Sequence, residues 1–112
     1  MSSRIASGVM VSALLRLTEQ DGGFATLIAR GDEAAGAIII VLAERGRRVR
    51  VLERVLQSSG AYGWVETLAG GDNEAEFDKF LERRRGFDRD SWIVELDTAS
   101  AERFAAEIRS LD

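Results

Sequence analysis

Two reactive side chains are missing altogether: among 112 residues there is no cysteine and no histidine. Without cysteine the chain forms no disulfide, no thiolate metal site and no thiol nucleophile, and it suits a reducing, cytoplasm-like compartment. Without histidine it lacks the commonest general base, the commonest metal ligand and the side chain that switches near neutral pH. Proline is absent too, so turns fall to glycine, Asp, Asn and Ser. Long apolar runs are also lacking. The longest, residues 34–43 with Gly36 inside it, is about half of the ~20 residues that cross a bilayer. The start, Met1-Ser2-Ser3-Arg4-Ile5, offers no long apolar core or cleavage site. Val9 to Leu17 is interrupted by Ser12 and Arg16 and reads as helix rather than signal peptide.

What is present is an ordinary globular balance, 46% hydrophobic and 30% charged, in a chain of common single-domain length. Fifteen basic against nineteen acidic residues leave a net charge of −4, which repels nucleic acid at long range.

Periodicity supplies the elements. Ser7 can cap a helix beginning near Gly8, in which Val11, Leu14, Leu15 and Thr18 form one stripe; Asp21-Gly22-Gly23 ends it. Phe24 to Arg30 reads as a strand, followed by a turn over 31–36 with room for one helical turn. Ala37 to Ala43 carries Ile38-Ile39-Ile40-Val41-Leu42; an unbroken β-branched run implies cover on both faces, hence a central strand. Glu44-Arg45-Gly46-Arg47 predicts a hairpin turn with glycine at positive φ. In the return strand, Val49, Val51 and Val55 share one face with Glu53 breaking the row. Arg48, Arg50 and Arg54 share the other with Leu52, which predicts a strand wet on one side.

Gln57 to Gly63 is a loop, Trp64 to Ala69 a short strand and Gly70-Gly71-Asp72-Asn73 a turn. A helix from about Glu74 to Arg85 follows, with Asp72 or Asn73 as cap and Gly86 as C-cap. Its acids come early and its bases late, and Phe77, Phe80, Leu81 and Arg84 share a face. Ser91 to Asp97 is a strand with Trp92, Val94 and Leu96 on one side, Ile93 and Glu95 on the other. Asp97 or Thr98 caps a last helix with the stripe Phe104, Ala105, Ile108 and Leu111. The order α-β-β-β-β-α-β-α, without repeat or linker, reads as a single α+β domain over 1–112: a five-stranded, mostly antiparallel or mixed sheet packed with three helices.

Four stretches carry a family resemblance: Val11-Ser12-Ala13-Leu14-Leu15-Arg16, residues 29–38 with Arg30-Gly31-Asp32-Glu33-Ala34-Ala35-Gly36 inside them, Leu81-Glu82-Arg83-Arg84, and Phe87-Asp88-Arg89-Asp90-Ser91-Trp92-Ile93-Val94-Glu95. Together the chain resembles the bacterial family called domain of unknown function 1491, typical of alphaproteobacteria. The resemblance implies a small bacterial cytoplasmic protein. It implies no activity and supplies no catalytic residue, and the segment Glu44 to Gly63 is basic in a way the family pattern does not specify.

Charged residues provide the candidate sites. Arg48, Arg50 and Arg54, with Arg45 and Arg47 in the turn, form a basic hairpin suited to an acidic partner or a phosphate backbone. Read plainly, they are a solvated edge strand charged against aggregation, with no aromatic between them to stack on bases. Arg83 and Arg84, with Arg85 and Arg89, make a second cluster that a helix C-terminus alone explains. Asp88 and Asp90, with Glu95 and Asp97, could work as acid and base or hold a hard cation; turn and capping duty is the simpler reading. Trp92, with Trp64 and Tyr62, could line a pocket but equally fits core packing. Arg30-Gly31-Asp32 spells an adhesion tripeptide that a turn explains, and no glycine pair has phosphate-loop spacing. No serine has a histidine partner, and the sole lysine, Lys79, lies mid-helix.

These residues predict no catalytic centre, no metal site and no cofactor. The favoured reading is a non-catalytic binding or protein-interaction domain in the cytoplasm, meeting an unknown protein partner or a second copy as a homodimer, away from membranes. One alternative is a small enzyme acting on an anionic metabolite, with Asp88 or Asp90 as base and arginines holding the anion. The other is weak nucleic-acid binding through the arginine hairpin, disfavoured by the net charge.

Overall fold

The sheet is assembled around its most apolar strand. The computed structural model describes residues 5–69 and 74–111. In chain order the elements are α1 (Ser7–Gln20), β1 (Phe24–Ala29), β2 (Ile38–Glu44), β3 (Arg47–Leu56), β4 (Tyr62–Ala69), α2 (Glu74–Phe87), β5 (Trp92–Asp97) and α3 (Ala101–Arg109). The strands lie in the order β1-β5-β2-β3-β4. β2 and β5 run parallel, Ile38 beside Trp92 through Ala43 beside Asp97, and the other neighbours are antiparallel. The sheet is therefore mixed, and β2 is its middle strand, as the unbroken apolar run requires.

Alternation along β2 and β5 divides two cores. Ile38, Ile40, Leu42, Trp92, Val94 and Leu96 pack with Leu52 under α1 and α3, against Met10, Leu14, Phe104 and Ile108. Ile39, Val41, Val51 and Ile93 face the other way and are covered by Phe77 and Leu81 of α2. Each fully buried aliphatic or aromatic side chain contributes roughly 1.5–3 kcal/mol by leaving water. The α2 layer is the thinner, in keeping with its short apolar stripe.

Several local expectations change. Ser7 does not cap α1. Carbonyls of the 33–34 turn receive the first amides, Ser7 N to Ala34 O at 3.2 Å and Gly8 N to Glu33 O at 2.8 Å, which frees the Ser7 hydroxyl to donate to Gly36 O at 2.6 Å. α2 runs through Gly86 to Phe87, since nothing at Gly86 calls for a left-handed residue. Ser100, not Asp97 or Thr98, caps α3 by accepting from Arg103 N, and Glu44 Oε2 takes the Ala101 amide at 2.7 Å. The turn at Gly70 to Asn73 and the capping role of Asp72 or Asn73 lie outside the described residues.

The largest departure is in β3. It is not an edge: β2 and β4 flank it. The pairing with β2 steps from Leu42–Arg50 to Ala43–Arg48, so Val49 is the extra residue of a β-bulge. A bulge inverts the alternation beyond it. Val49 joins the α1/α3 core while Val51 stays under α2, although simple alternation puts the two valines together.

Candidate functional site

The bulge takes the expected arginine face apart. Arg48 lies on the α2 side, where its Nε meets Glu95 Oε1 at 3.0 Å, its Nη1 meets Asp78 Oδ1 at 2.5 Å, and Glu74 stands 3.7 Å away. The hydrogen bond to Asp78, and then Glu95, holds the Arg48 guanidinium above its ordinary pKa against the cost of burial. Arg50 points to the opposite side and grips Glu66 with two hydrogen bonds of 2.9 and 2.7 Å. That contact raises the Arg50 pKa and lowers that of Glu66, and Arg109 adds its charge from 3.8 Å. Arg54 is only 2% exposed. It donates to Ile5 O at 2.8 Å and lies 4.2 Å from the centre of the Tyr62 ring. In the second cluster Arg84 pairs with the buried Glu53, while Arg83 is exposed on α2. Of the five arginines, Arg48 and Arg84 thus bind α2 to one side of the sheet, and Arg50 and Arg54 serve the other.

The two stretches that most strongly carry the resemblance meet in space. Asp32 N donates to Asp90 O at 2.9 Å, and Trp92 Nε1 donates to Asp32 O at 2.7 Å. A side chain at Gly31 or at Gly36 would begin 2.2 Å from that same Asp90 carbonyl, closer than any carbon can approach. The glycines therefore admit the backbone rather than a ligand. Asp32 also closes its own turn by accepting from Ala35 N at 2.9 Å. The tripeptide 30–32 is part of this clasp, with Arg30 5.5 Å from the Trp92 ring centre.

Asp88 and Asp90 are exposed, and Trp92 is buried. The Asp88 carboxylate accepts from the Asp90 amide at 3.0 Å, a turn-closing contact. The neighbouring acids are committed as well. Glu95 faces Arg48, and Asp97 accepts from the amides of Arg45 and Gly46 at 3.0 and 2.6 Å. The latter pair of bonds explains how Arg45 sits at φ 53°, a conformation non-glycine residues avoid. Among the described residues, no three acids are grouped to hold a metal ion. A cleft of about 430 Å³ opens beside this turn, lined by Gly22, Gly23, Phe24, Arg45 and Thr98. The Thr98 hydroxyl there is buried without a hydrogen-bond partner.

The surface that the sequence reading passed over is β1. Among the described residues it is a sheet edge paired only with β5, and Phe24, Leu27 and Ile28 are 78%, 39% and 45% exposed. Pairing with β5 skips Ile28, the extra residue of a second bulge. The whole strand, Phe24-Ala25-Thr26-Leu27-Ile28-Ala29, carries no charge. That absence was the available signal, because edge strands ordinarily carry charge.

Comparison with known proteins agrees with this geometry. The family model described as Protein of unknown function (DUF1491) matches residues 5–106. A protein from A. tumefaciens, solved in solution, is 36% identical with a TM-score of 0.75, over 88% of this chain and 89% of that one. A crystal structure of a DUF1491 family protein from Caulobacter crescentus is 28% identical with a TM-score of 0.76, over 88% and 92%. An NMR structure of a DUF1491 family protein from the same organism is 27% identical with a TM-score of 0.77, over 89% and 91%. No curated protein matches the chain.

Proposed function

The chain belongs to the DUF1491 family, and since that description assigns no activity we propose a function from the geometry: a non-catalytic interaction domain that takes up an extended apolar segment of a partner along the β1 edge. The observation that carries this reading is the uncharged outer edge of β1 with Phe24, Leu27 and Ile28 turned to solvent. Main-chain donors and acceptors of an edge strand pair with an added strand, and exposed alternate side chains select what is added. Two further observations support it. Arg48, Arg50, Arg54 and Arg84 make contacts within the fold, which leaves little of the hairpin's charge for an acidic partner or a nucleic acid. Asp88 and Asp90 lie on an exposed turn, where the Asp88 carboxylate is engaged by the Asp90 amide. No helix of the described residues is long and apolar enough to cross a membrane. We assign the domain to the cytoplasm, since a chain without cysteine loses nothing in a reducing compartment.

A photo-crosslinking residue at Phe24, introduced in living cells, tests the reading. Adducts are expected from position 24 and not from the exposed control position Arg83, and Thr26→Lys on the same chain is expected to abolish them. Adducts from Arg83 alone, or none from Phe24, would refute docking at β1.

A further inference from the structure

We propose that the segment added to β1 is the β1 strand of a second copy of this chain, giving a two-fold dimer with one continuous ten-stranded sheet. This rests on the edge-docking reading and commits it to a partner.

The argument begins with register. Residues opposite each other in an antiparallel pair point to the same side of the sheet. A two-fold axis perpendicular to the sheet therefore passes through one residue of β1, not between two. With Thr26 on the axis, Phe24 of each copy lies opposite Ile28 of the other and Ala25 opposite Leu27. Two of the three exposed apolar side chains of the edge, Phe24 and Ile28, thus find one another as an aromatic–β-branched pair of the kind that stabilises antiparallel strands, and Leu27 gains Ala25 as its neighbour. The unpaired bulge residue Ile28 gains a neighbour in this arrangement.

Charge selects the direction. The strand is uncharged along its length but bracketed by Asp21 before it and Arg30 after it. In the antiparallel register Arg30 of each copy arrives at the Asp21-Gly22 end of the other, and symmetry makes the contact twice. A parallel alignment would set Arg30 beside Arg30 and Asp21 beside Asp21. Within the chain Arg103 stands 3.4 Å from Asp21, and the largely exposed Arg30 has Glu33 at 3.9 Å and the Trp92 ring centre at 5.5 Å. Gly22 and Gly23 leave the meeting point free of bulk. The other edge, β4, offers no such match. It carries Glu66, which Arg50 already holds.

Sedimentation equilibrium of the full chain, from micromolar to millimolar concentration, is the test, with circular dichroism confirming that each variant is folded. A reversible dimer is expected. Thr26→Lys places two ammonium groups on the axis and is expected to leave a monomer. Asp21→Arg and Arg30→Asp each set like charges together twice and are expected to weaken dimerisation roughly tenfold. The combined exchange D21R/R30D restores the opposite pairing and is expected to recover the original constant. A chain monomeric at every concentration overturns the self-pairing, and so does a dimer indifferent to Thr26→Lys. A monomer that still gives Thr26→Lys-sensitive adducts from Phe24 in cells overturns the self-pairing alone and leaves edge docking standing.

Discussion

At the level of single residues, Glu53 and Arg84 show how two apparent defects of pattern explain each other. Glu53 interrupts a row of valines on β3, and Arg84 interrupts the apolar stripe of α2. Folded, they meet as an ion pair whose acid is 5% exposed. Removing one partner strands the other, and Arg84 Nε already lacks a hydrogen-bond acceptor. Glu53→Leu or Arg84→Met alone is therefore expected to cost about 3 kcal/mol in urea unfolding, the lower end for a broken buried pair because Arg84 is partly solvated. The double variant E53L/R84M is expected to recover most of that loss. Costs that simply add would show the two residues to be uncoupled. This contact was half legible beforehand: an acid out of place on a strand and a base out of place on a helix each ask for a partner. Nothing in the linear order says that they ask for each other.

Among the elements, periodicity disclosed the helices, the strands and the central position of β2, because a run such as Ile38 to Leu42 admits few environments. Caps were less legible. At Ser7 and Thr98 the amides are served by backbone or by distant side chains, and such partners leave no local mark. The β3 bulge was hidden for a different reason. A bulge is a relation between two strands, and Val49 looks like any other valine until its pairing with β2 is known. The mistaken face for Arg48 followed from that one residue. Deleting Val49 would make Arg48 and Arg50 neighbours in a regular ladder, keep Arg48 on the α2 side with Glu74, Asp78 and Glu95, and take the Val49 side chain out of the α1/α3 core. The expected result is a folded but weakened chain, about 1 kcal/mol less stable to urea, the scale for losing a partly buried aliphatic side chain. An unchanged midpoint would mean that the bulge is dispensable.

Across the whole molecule, several arginines are paired within the fold, and the Arg50–Glu66 pair has a pH signature. The Glu66 carboxylate is depressed by Arg50, so its contribution is complete above the ordinary glutamate range, near pH 4.3. It is lost as pH falls through and below that range toward the depressed value. The raised values of Arg48 and Arg50 keep both charged throughout and add no titration there. Glu66→Gln should lower stability at pH 7 by about 1 kcal/mol, as expected of a well-formed but partly solvated pair. The gap to the parent chain should narrow when pH is taken from 7 to below that range. A gap of constant size in urea midpoints at the two pH values would show that the ionised form of Glu66 contributes nothing.

One topological fact reaches beyond the finished fold. β5 lies late in the chain yet sits between β1 and β2, and its Asp97 carboxylate fastens the Arg45–Gly46 turn made long before it. Protein synthesis runs from the N-terminus. Until residues 92–97 leave the ribosome, each nascent chain therefore carries an empty slot at the heart of its sheet, walled by two raw strand edges and an isoleucine-rich surface. That interval, rather than the mature state, is when this protein most needs a chaperone to shield it from its neighbours.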